Sequence, residues 1–467
     1  MDLIVLDKNR KDPLYIQLYM HFKGAIEKGE LKESEKLPSI RGLSKNLSIS
    51  KITVENAYQQ LMSEGYIENY NRSRYTVNKL EEIMLKTPTT LIVDQNNNNK
   101  LEKEDDKILY DFASGEMDID GFDFSLWKRY ISKAFLQKER LVGYGNIKGE
   151  EELRKEIAKY IQHSRGVYAY KEQIIIGAGV QSLLSMLCSM LKLENNSIAF
   201  EEPGFKNGRR IFADNDFTIM PITMKKDGID MTDLVRSGAR LAYVSPSHQF
   251  PTGYIMPIGK RNQLLNWAEQ REGIIIEDDY DSEFRYFGRP IPALKGLDNS
   301  GKVVYLGSFS KVIPPSIRVS YMVLPEKFLA IYQEKSSLYN QTASTIEQLA
   351  LAQFMTDGHL ERQIRRLRKL YYEKRKTFLA GIRSILGENV EMNENESGLH
   401  IILSLKSELQ AKELAVKALE QGCRVAPVQD YYLETSPEKL PQVLLYFSKI
   451  PAHELENGIR RLRNAWF

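Results

Sequence analysis

The rhythm of apolar positions changes twice along the chain. Leu14, Leu18, Phe22 and Ile26 recur every four residues, the spacing of one helix face, and Gly29 closes that helix. Ser39 stands where it caps a second helix running to about Leu47. After the turn Ser48-Ile49-Ser50, Ser50 caps a third helix through about Glu64. Its apolar face is Val54, Ala57, Tyr58 and Leu61, and Gly65 stops it. Tyr66-Ile67-Glu68 and Tyr75-Thr76-Val77 then alternate like two short strands around Asn71-Arg72-Ser73-Arg74. Three helices with a tight turn between the second and third, followed by a hairpin, give a winged helix-turn-helix outline.

Periodicity stops over residues 80–108, where four consecutive Asn are flanked by charge, and this stretch reads as a linker. Beyond it, strand-like runs at Ile174–Ile176, Ile198–Phe200, Leu241–Val244, Ile274–Ile276 and Val303–Leu306 are mostly separated by longer amphipathic stretches. That order predicts an α/β domain with a mixed, mostly parallel sheet, followed past residue 325 by a charged helical stretch and a small C-terminal α+β subdomain. The expected organisation is residues 1–79, a linker at 80–108, and residues 109–467. The basic run within residues 359–383 reads as the solvated face of an amphipathic helix.

Composition narrows the class. The 467 residues are 42% hydrophobic and 27% charged, the balance of a globular protein rather than a disordered one. No apolar run approaches the ~18 residues of a membrane span. The first residues lack an apolar core of signal-peptide length. Two cysteines, Cys188 and Cys423, fit a reducing compartment, and the expectation is a cytoplasmic protein. The net charge of +3 argues weakly against nucleic acid as an average, but residues 1–79 alone hold nine Lys and four Arg against three Asp and seven Glu. The whole excess therefore lies on the helix-turn-helix block.

A recognition helix needs small polar and basic side chains near its start, to reach base edges and phosphates. Ser50, Lys51 and Thr53 hold that place, and Asn56 follows one turn on. Arg41 is placed to hold a phosphate through its two-pronged guanidinium, and Arg72 and Arg74 to reach an adjacent groove from the hairpin tip.

The larger block carries a different chemistry. Leu306-Gly307-Ser308-Phe309-Ser310-Lys311, then Arg318, sets a lysine after an apolar strand with two hydroxyls and a cation nearby. A lysine so placed can form a Schiff base with pyridoxal 5′-phosphate (PLP), and Ser308, Ser310 and Arg318 can bind its phosphate. Ile274-Ile275-Ile276-Glu277-Asp278-Asp279-Tyr280 ends a buried strand in carboxylates and a tyrosine. PLP needs such a carboxylate to keep its pyridine nitrogen protonated. Gly177-Ala178-Gly179-Val180-Gln181 leads a strand through a small-residue turn into a helix, an anion site that lacks the dinucleotide-binding glycine pattern. Phe205, after Glu202-Pro203-Gly204, supplies an aromatic face, and Ser245–Gly253 is the fifth segment. No metal-ligand set is assigned.

Residues 10–79 resemble the DNA-binding domain of the GntR family, and residues 109–467 resemble a fold type I PLP-dependent aminotransferase. The fusion is similar to the MocR subfamily of bacterial transcription regulators. The resemblance implies Lys311 as the aldimine lysine, Asp278 on the pyridinium, Tyr280 on the phenolate and Phe205 against the ring. It implies Gly179, Val180, Gln181, Ser308, Ser310 and Arg318 around the phosphate, a homodimer, and operator DNA as partner. Four positions depart from the pattern. The wing tip is not glycine-rich. Phe250 stands where aminotransferases carry an Asn that bonds the ring oxygen, so that either His248 or Gln249 substitutes or the bond is absent. Lys449 stands where they carry the arginine that holds the substrate carboxylate. Asn207 replaces an arginine of the GABA-responsive member, with Arg209 and Arg210 close by. The expectation is a PLP-dependent regulator whose effector is PLP itself or a small amine or amino acid, joined at Lys311. The alternatives are a working aminotransferase with an accessory DNA-binding arm, and a DNA-binding protein with a cofactor-free dimerisation scaffold.

Overall fold

The structure, a computed structural model, describes residues 4, 6–7, 10, 12–69, 75–79, 108–191, 196–286, 291–336, 340–393, 397–433 and 439–467. The chain divides into two compact units, Met1–Asn99 and Lys100–Phe467. The linker expected at 80–108 lies outside the described residues except for its last position, and so does the wing tip with Arg72 and Arg74.

The first unit holds helices α1 (Leu14–Glu27), α2 (Ile40–Asn46) and α3 (Lys51–Ser63), then strands β1 (Ile67–Asn69) and β2 (Tyr75–Val77), paired antiparallel with Ile67 opposite Val77. Both expected caps form. Ser39 Oγ accepts the Gly42 N–H at 3.1 Å, and Ser50 Oγ accepts the Thr53 N–H at 3.1 Å. Each such cap contributes about 1 kcal/mol. Leu18 and Phe22 of α1 meet Val54, Ala57, Tyr58 and Leu61 of α3 in a fully buried core. The buried Tyr58 hydroxyl is satisfied by donating to the Pro38 carbonyl at 3.0 Å.

The second unit opens on β3 (Tyr110–Asp111). Its main sheet is built from β4 (Ile174–Gly177), β5 (Ser197–Glu202), β6 (Thr218–Lys225), β7 (Gly228–Ile229), β8 (Leu241–Val244), β9 (Ile274–Asp279), β10 (Val303–Ser308) and β11 (Ser320–Val323). The order is β4-β11-β10-β9-β8-β5-β6-β7. The run from β10 through β9, β8 and β5 to β6 is parallel; β11 is antiparallel to both its neighbours, and β7 to β6. The α/β expectation therefore holds, and β4, β5, β8, β9 and β10 grow from the five apolar runs. Strand β6 went unseen because most of its side chains are not buried, so it lacks the continuous apolar run of its neighbours.

Helices cover the sheet. Helix Val180–Met190 buries Leu183, Leu184, Leu187 and Cys188, and these pack with Ile276 and Leu306 of the sheet. Helix His359–Ile385 buries Leu360, Ile364, Leu367, Tyr371, Phe378 and Ile382 and turns most of its cations to solvent. Lys374 is the exception. Buried, it pairs with Asp118 and donates to the carbonyls of Ser448 and Ile450 at 2.7 and 2.6 Å. The C-terminal subdomain has an antiparallel sheet of β12 (Val390–Asn393), β13 (His400–Leu405), β16 (Gln442–Tyr446) and β15 (Ala426–Pro427), in that order. A separate strand, β14 (Cys423–Arg424), pairs in parallel with β3.

Candidate functional site

Strand β9 is buried along its whole length, and side chains alternate between its faces. The alternation sorts its three carboxylates. Glu277 accepts the backbone N–H groups of Leu294 and Lys295, each at 2.7 Å. Asp279, on the same face, accepts Arg165 Nε and the Tyr305 hydroxyl, each at 2.6 Å. Asp278 faces the other way, into a cavity of about 300 Å³ at the C-terminal end of the parallel strands. The carboxylates thus end a buried strand, as its apolar run implies.

Asp278 Oδ2 accepts the Tyr243 hydroxyl at 2.6 Å, while its buried Oδ1 has no hydrogen-bond partner. Burial pushes this carboxyl up to about 7; Tyr243 opposes the shift, and Asp279, Asp281 and Glu277 add to it. Lys311 enters the same cavity at the end of β10. Its Nζ donates to the Gly115 carbonyl at 2.6 Å and lies 5.6 Å from the centre of the Tyr446 ring. Burial lowers the lysine's pKa against the opposing fields of Asp281 and Glu116, which favours the neutral, nucleophilic amine.

At one end of the cavity the chain turns from β4 into the helix Val180–Met190. Gly179 sits there at φ +93°, and a Cβ would lie 2.3 Å from Arg318 Nη2. Only glycine fits both that backbone and that approach. Arg318 donates to the Ala178 carbonyl at 3.0 Å. Ser308 bonds Ser310 at 3.0 Å and accepts from Ser320 at 2.9 Å. Together the turn, the guanidinium and the hydroxyls form an anion cup. Phe205 closes one wall, stacked 6.1 Å from Tyr243.

The residues at the departing positions do other work. Phe250 lines the cavity, edge-on to Tyr280 and Tyr431 at 6.0 and 4.9 Å. His248 lies outside the cavity lining and meets the hydroxyl of Tyr280, which does line it. Its Nδ1 is 3.0 Å from the Tyr280 hydroxyl and 2.8 Å from Asp281. Asp281 is a buried carboxylate two residues beyond β9 that needs a donor. Gln249 is spent on Glu201, the Pro203 and Phe250 carbonyls, and Thr252. Lys449 lies outside the cavity lining, 2.6 Å from Glu116. Arg209 is buried against Glu202 and the Tyr431 carbonyl, and Arg210 is exposed and pairs with Asp214. Sequence reasoning missed Tyr446, Gly115 and Tyr243, which reach the site from segments with no motif of their own.

In the first unit, Arg41, Ser50, Lys51 and Asn56 are exposed and Thr53 is half-exposed. Ser50 and Thr53 spend their hydroxyls on each other at 2.8 Å, so their first role is to start α3.

Residues 107–440 match the family "Aminotransferase class I and II", and residues 14–77 match "Bacterial regulatory proteins, gntR family". The chain is 31% identical to the probable rhizopine catabolism regulatory protein MocR of Rhizobium meliloti, over 99% of this chain and 96% of that one. The chain belongs to the MocR subfamily. It is also 41% identical to the uncharacterized HTH-type transcriptional regulator YdeL of Bacillus subtilis, over 99% of this chain and 98% of that one. A third relative is the HTH-type pyridoxine biosynthesis transcriptional regulator PdxR of Corynebacterium glutamicum, 29% identical over 92% of this chain and 91% of that one. Among solved structures, the kynurenine aminotransferase of Pyrococcus horikoshii superposes with a TM-score of 0.70 at 22% identity, covering 83% of this chain and 96% of that one, and shares the fold. This MocR-type protein is thus a DNA-binding transcription regulator with a PLP domain of aminotransferase type. Its residues fit the cofactor. A buried carboxylate oxygen without a partner suits a protonated ring nitrogen, and the turn at Gly179 leaves space a Cβ would fill. Among the described residues no helix is long and apolar enough to cross a membrane.

Proposed function

We propose that the protein is a cytoplasmic, homodimeric regulator whose large domain senses PLP itself and sets the affinity of the winged helix for operator DNA. One observation carries this reading. The cavity has a lysine, a carboxylate and an anion cup, but among the described residues Arg318 at that cup is the only guanidinium in its lining. Lys449, at the clamp's position in the sequence, pairs with Glu116, and Arg209 pairs with Glu202. A sensor of the cofactor needs the first half and not the second. The name of the pyridoxine biosynthesis regulator PdxR among the relatives supports the same choice.

When bound, PLP supplies an electrophilic carbonyl carbon and an electron-withdrawing ring. Asp278 Oδ1 would hold the proton on the ring nitrogen. Ser308, Ser310, Arg318 and the backbone at Gly179, Val180 and Gln181 would hold the phosphate. Phe205 would cover one ring face, Tyr280 would meet the ring oxygen, and Lys311 Nζ would offer the amine. Ligand must bind two conformations unequally to shift DNA affinity. A dimer would read two half-sites.

The test is titration of apo-protein with PLP while binding to an enriched DNA duplex is followed. A PLP-dependent change in affinity is the expected result, and constant affinity overturns the reading. A change that needs PLP together with an amine would move the effector to that amine. Keto-acid release from a panel of amines would favour a working aminotransferase.

A further inference from the structure

The outward face of α3 carries a specific base chemistry. Val54, Ala57, Tyr58 and Leu61 are fully buried, so the face presented away from the core is Ile52, Glu55, Asn56 and Gln59. Ile52 is 66% exposed in the first turn, an apolar side chain off the core stripe. Glu55, Asn56 and Gln59 are exposed, and no hydrogen bond or ion pair ties their side chains among the described residues. No arginine occurs between Arg41 and Arg72, so the one cation of α3 is Lys51 at its first position, and the rest of its outward face carries no guanine-reading cation.

Resting on the reading of this domain as an operator binder, we infer that α3 reads a T·A-containing step in each half-site. Ile52 packs on a thymine C5-methyl group, and Asn56 bonds N6 and N7 of an adenine. Residues four apart stand about 6 Å apart along a helix, so the two bases are neighbours or next-but-one. An asparagine amide sets an N–H donor beside a carbonyl acceptor, which matches adenine's N7 acceptor and N6 donor in the major groove. Lys51, at the first position of the helix, and Arg41 on α2 take phosphates, which position the helix without specifying sequence.

The experiment is selection of duplexes from a random-sequence library by the full-length, PLP-loaded protein, followed by substitutions in the selected site. The enriched half-site is expected to contain adjacent or next-but-one thymine and adenine. Replacing that thymine by deoxyuridine removes one methyl group and is expected to weaken binding about fourfold, the equivalent of one buried CH₂. Ile52→Ala is expected to bind thymine and deoxyuridine sites equally, with the salt slope of binding unchanged. Lys51→Ala is expected to reduce that slope by about one while leaving the consensus as it was. A guanine-led consensus overturns the inference, and so does an Ile52→Ala protein that still distinguishes thymine from deoxyuridine. Failure to enrich any duplex overturns the DNA-binding reading itself, a different result from either.

Discussion

Tyr243 and Asp278 form a buried pair, joined at 2.6 Å through Oδ2, that leaves Oδ1 of the aspartate buried and without a hydrogen-bond partner. The tyrosine comes from β8 and the aspartate from β9, so the sheet itself aims the free oxygen. Asp278→Asn keeps the shape and loses the charge. Hydrogen bonds to charged groups are worth about 1.5–3 kcal/mol, so PLP affinity is expected to fall by about one to two orders of magnitude. Titration of the apo-protein by absorbance measures it, and an unchanged affinity would place the ring nitrogen elsewhere.

Gly179 gives a steric test of the anion cup. Gly179→Ala puts a Cβ against the Arg318 guanidinium in a left-handed backbone conformation. PLP affinity is expected to drop, and DNA affinity to stay at its PLP-free value over PLP concentrations that shift it in the unsubstituted protein, while the first unit, with its separate core, stays folded. Comparing PLP and pyridoxal identifies the cause: the variant should lose the preference for the phosphorylated form.

Lys311 donates to one backbone carbonyl and its removal empties part of an existing cavity, so Lys311→Ala should fold. The variant is expected to release PLP on dialysis and to bind DNA without regard to PLP. A protein that stays yellow and effector-responsive would instead make the large domain independent of that amine.

Lys449→Arg restores the residue type that aminotransferases use for the substrate carboxylate. Because the lysine's ammonium is held at Glu116 outside the cavity lining, no gain in keto-acid formation is expected. Appreciable turnover by the variant would show that the side chain does reach the site.

Glu201 predicts a pH dependence. Burial pushes its carboxyl up from 4.5 to about 8, although Ser245 and Gln249 donate to it. The folded state then holds this proton more tightly than the unfolded chain. Its contribution to stability is full below the unfolded value and is lost as pH rises towards 8. Asp278 and Glu277, each raised to about 7, act in the same direction. The apo-protein should melt at a lower temperature at pH 8 than at pH 6, with a smaller difference in Glu201→Gln. An equal drop in both proteins would remove Glu201 from the account.

Much of this was legible in the chain because local rules and tertiary structure agree. Ser39 and Ser50 cap where hydroxyls before an apolar period should, and IIIEDD is a strand because both of its faces are buried. The partners of the site were not legible. Tyr243 looks like any strand tyrosine, and its bond to Asp278 spans 35 residues. Lys311 meets the carbonyl of Gly115, 196 residues away. The neighbours of His248 in the chain say nothing of the buried Asp281 that meets its Nδ1. Contacts of this kind depend on which strands are neighbours, and β8, β9 and β10 are brought together only by crossovers.

The pairing of β3 with β14 has a consequence for how such proteins are assembled. Tyr110 and Asp111 register with Cys423 and Arg424, Asp111 is held by the Arg424 guanidinium, and the Tyr110 hydroxyl donates to Glu454 at 2.7 Å. The large domain is thus stitched shut at its own leading edge by residues from its far end. The two ends of the large domain are therefore one element, formed only when residues 313 apart in the chain have met.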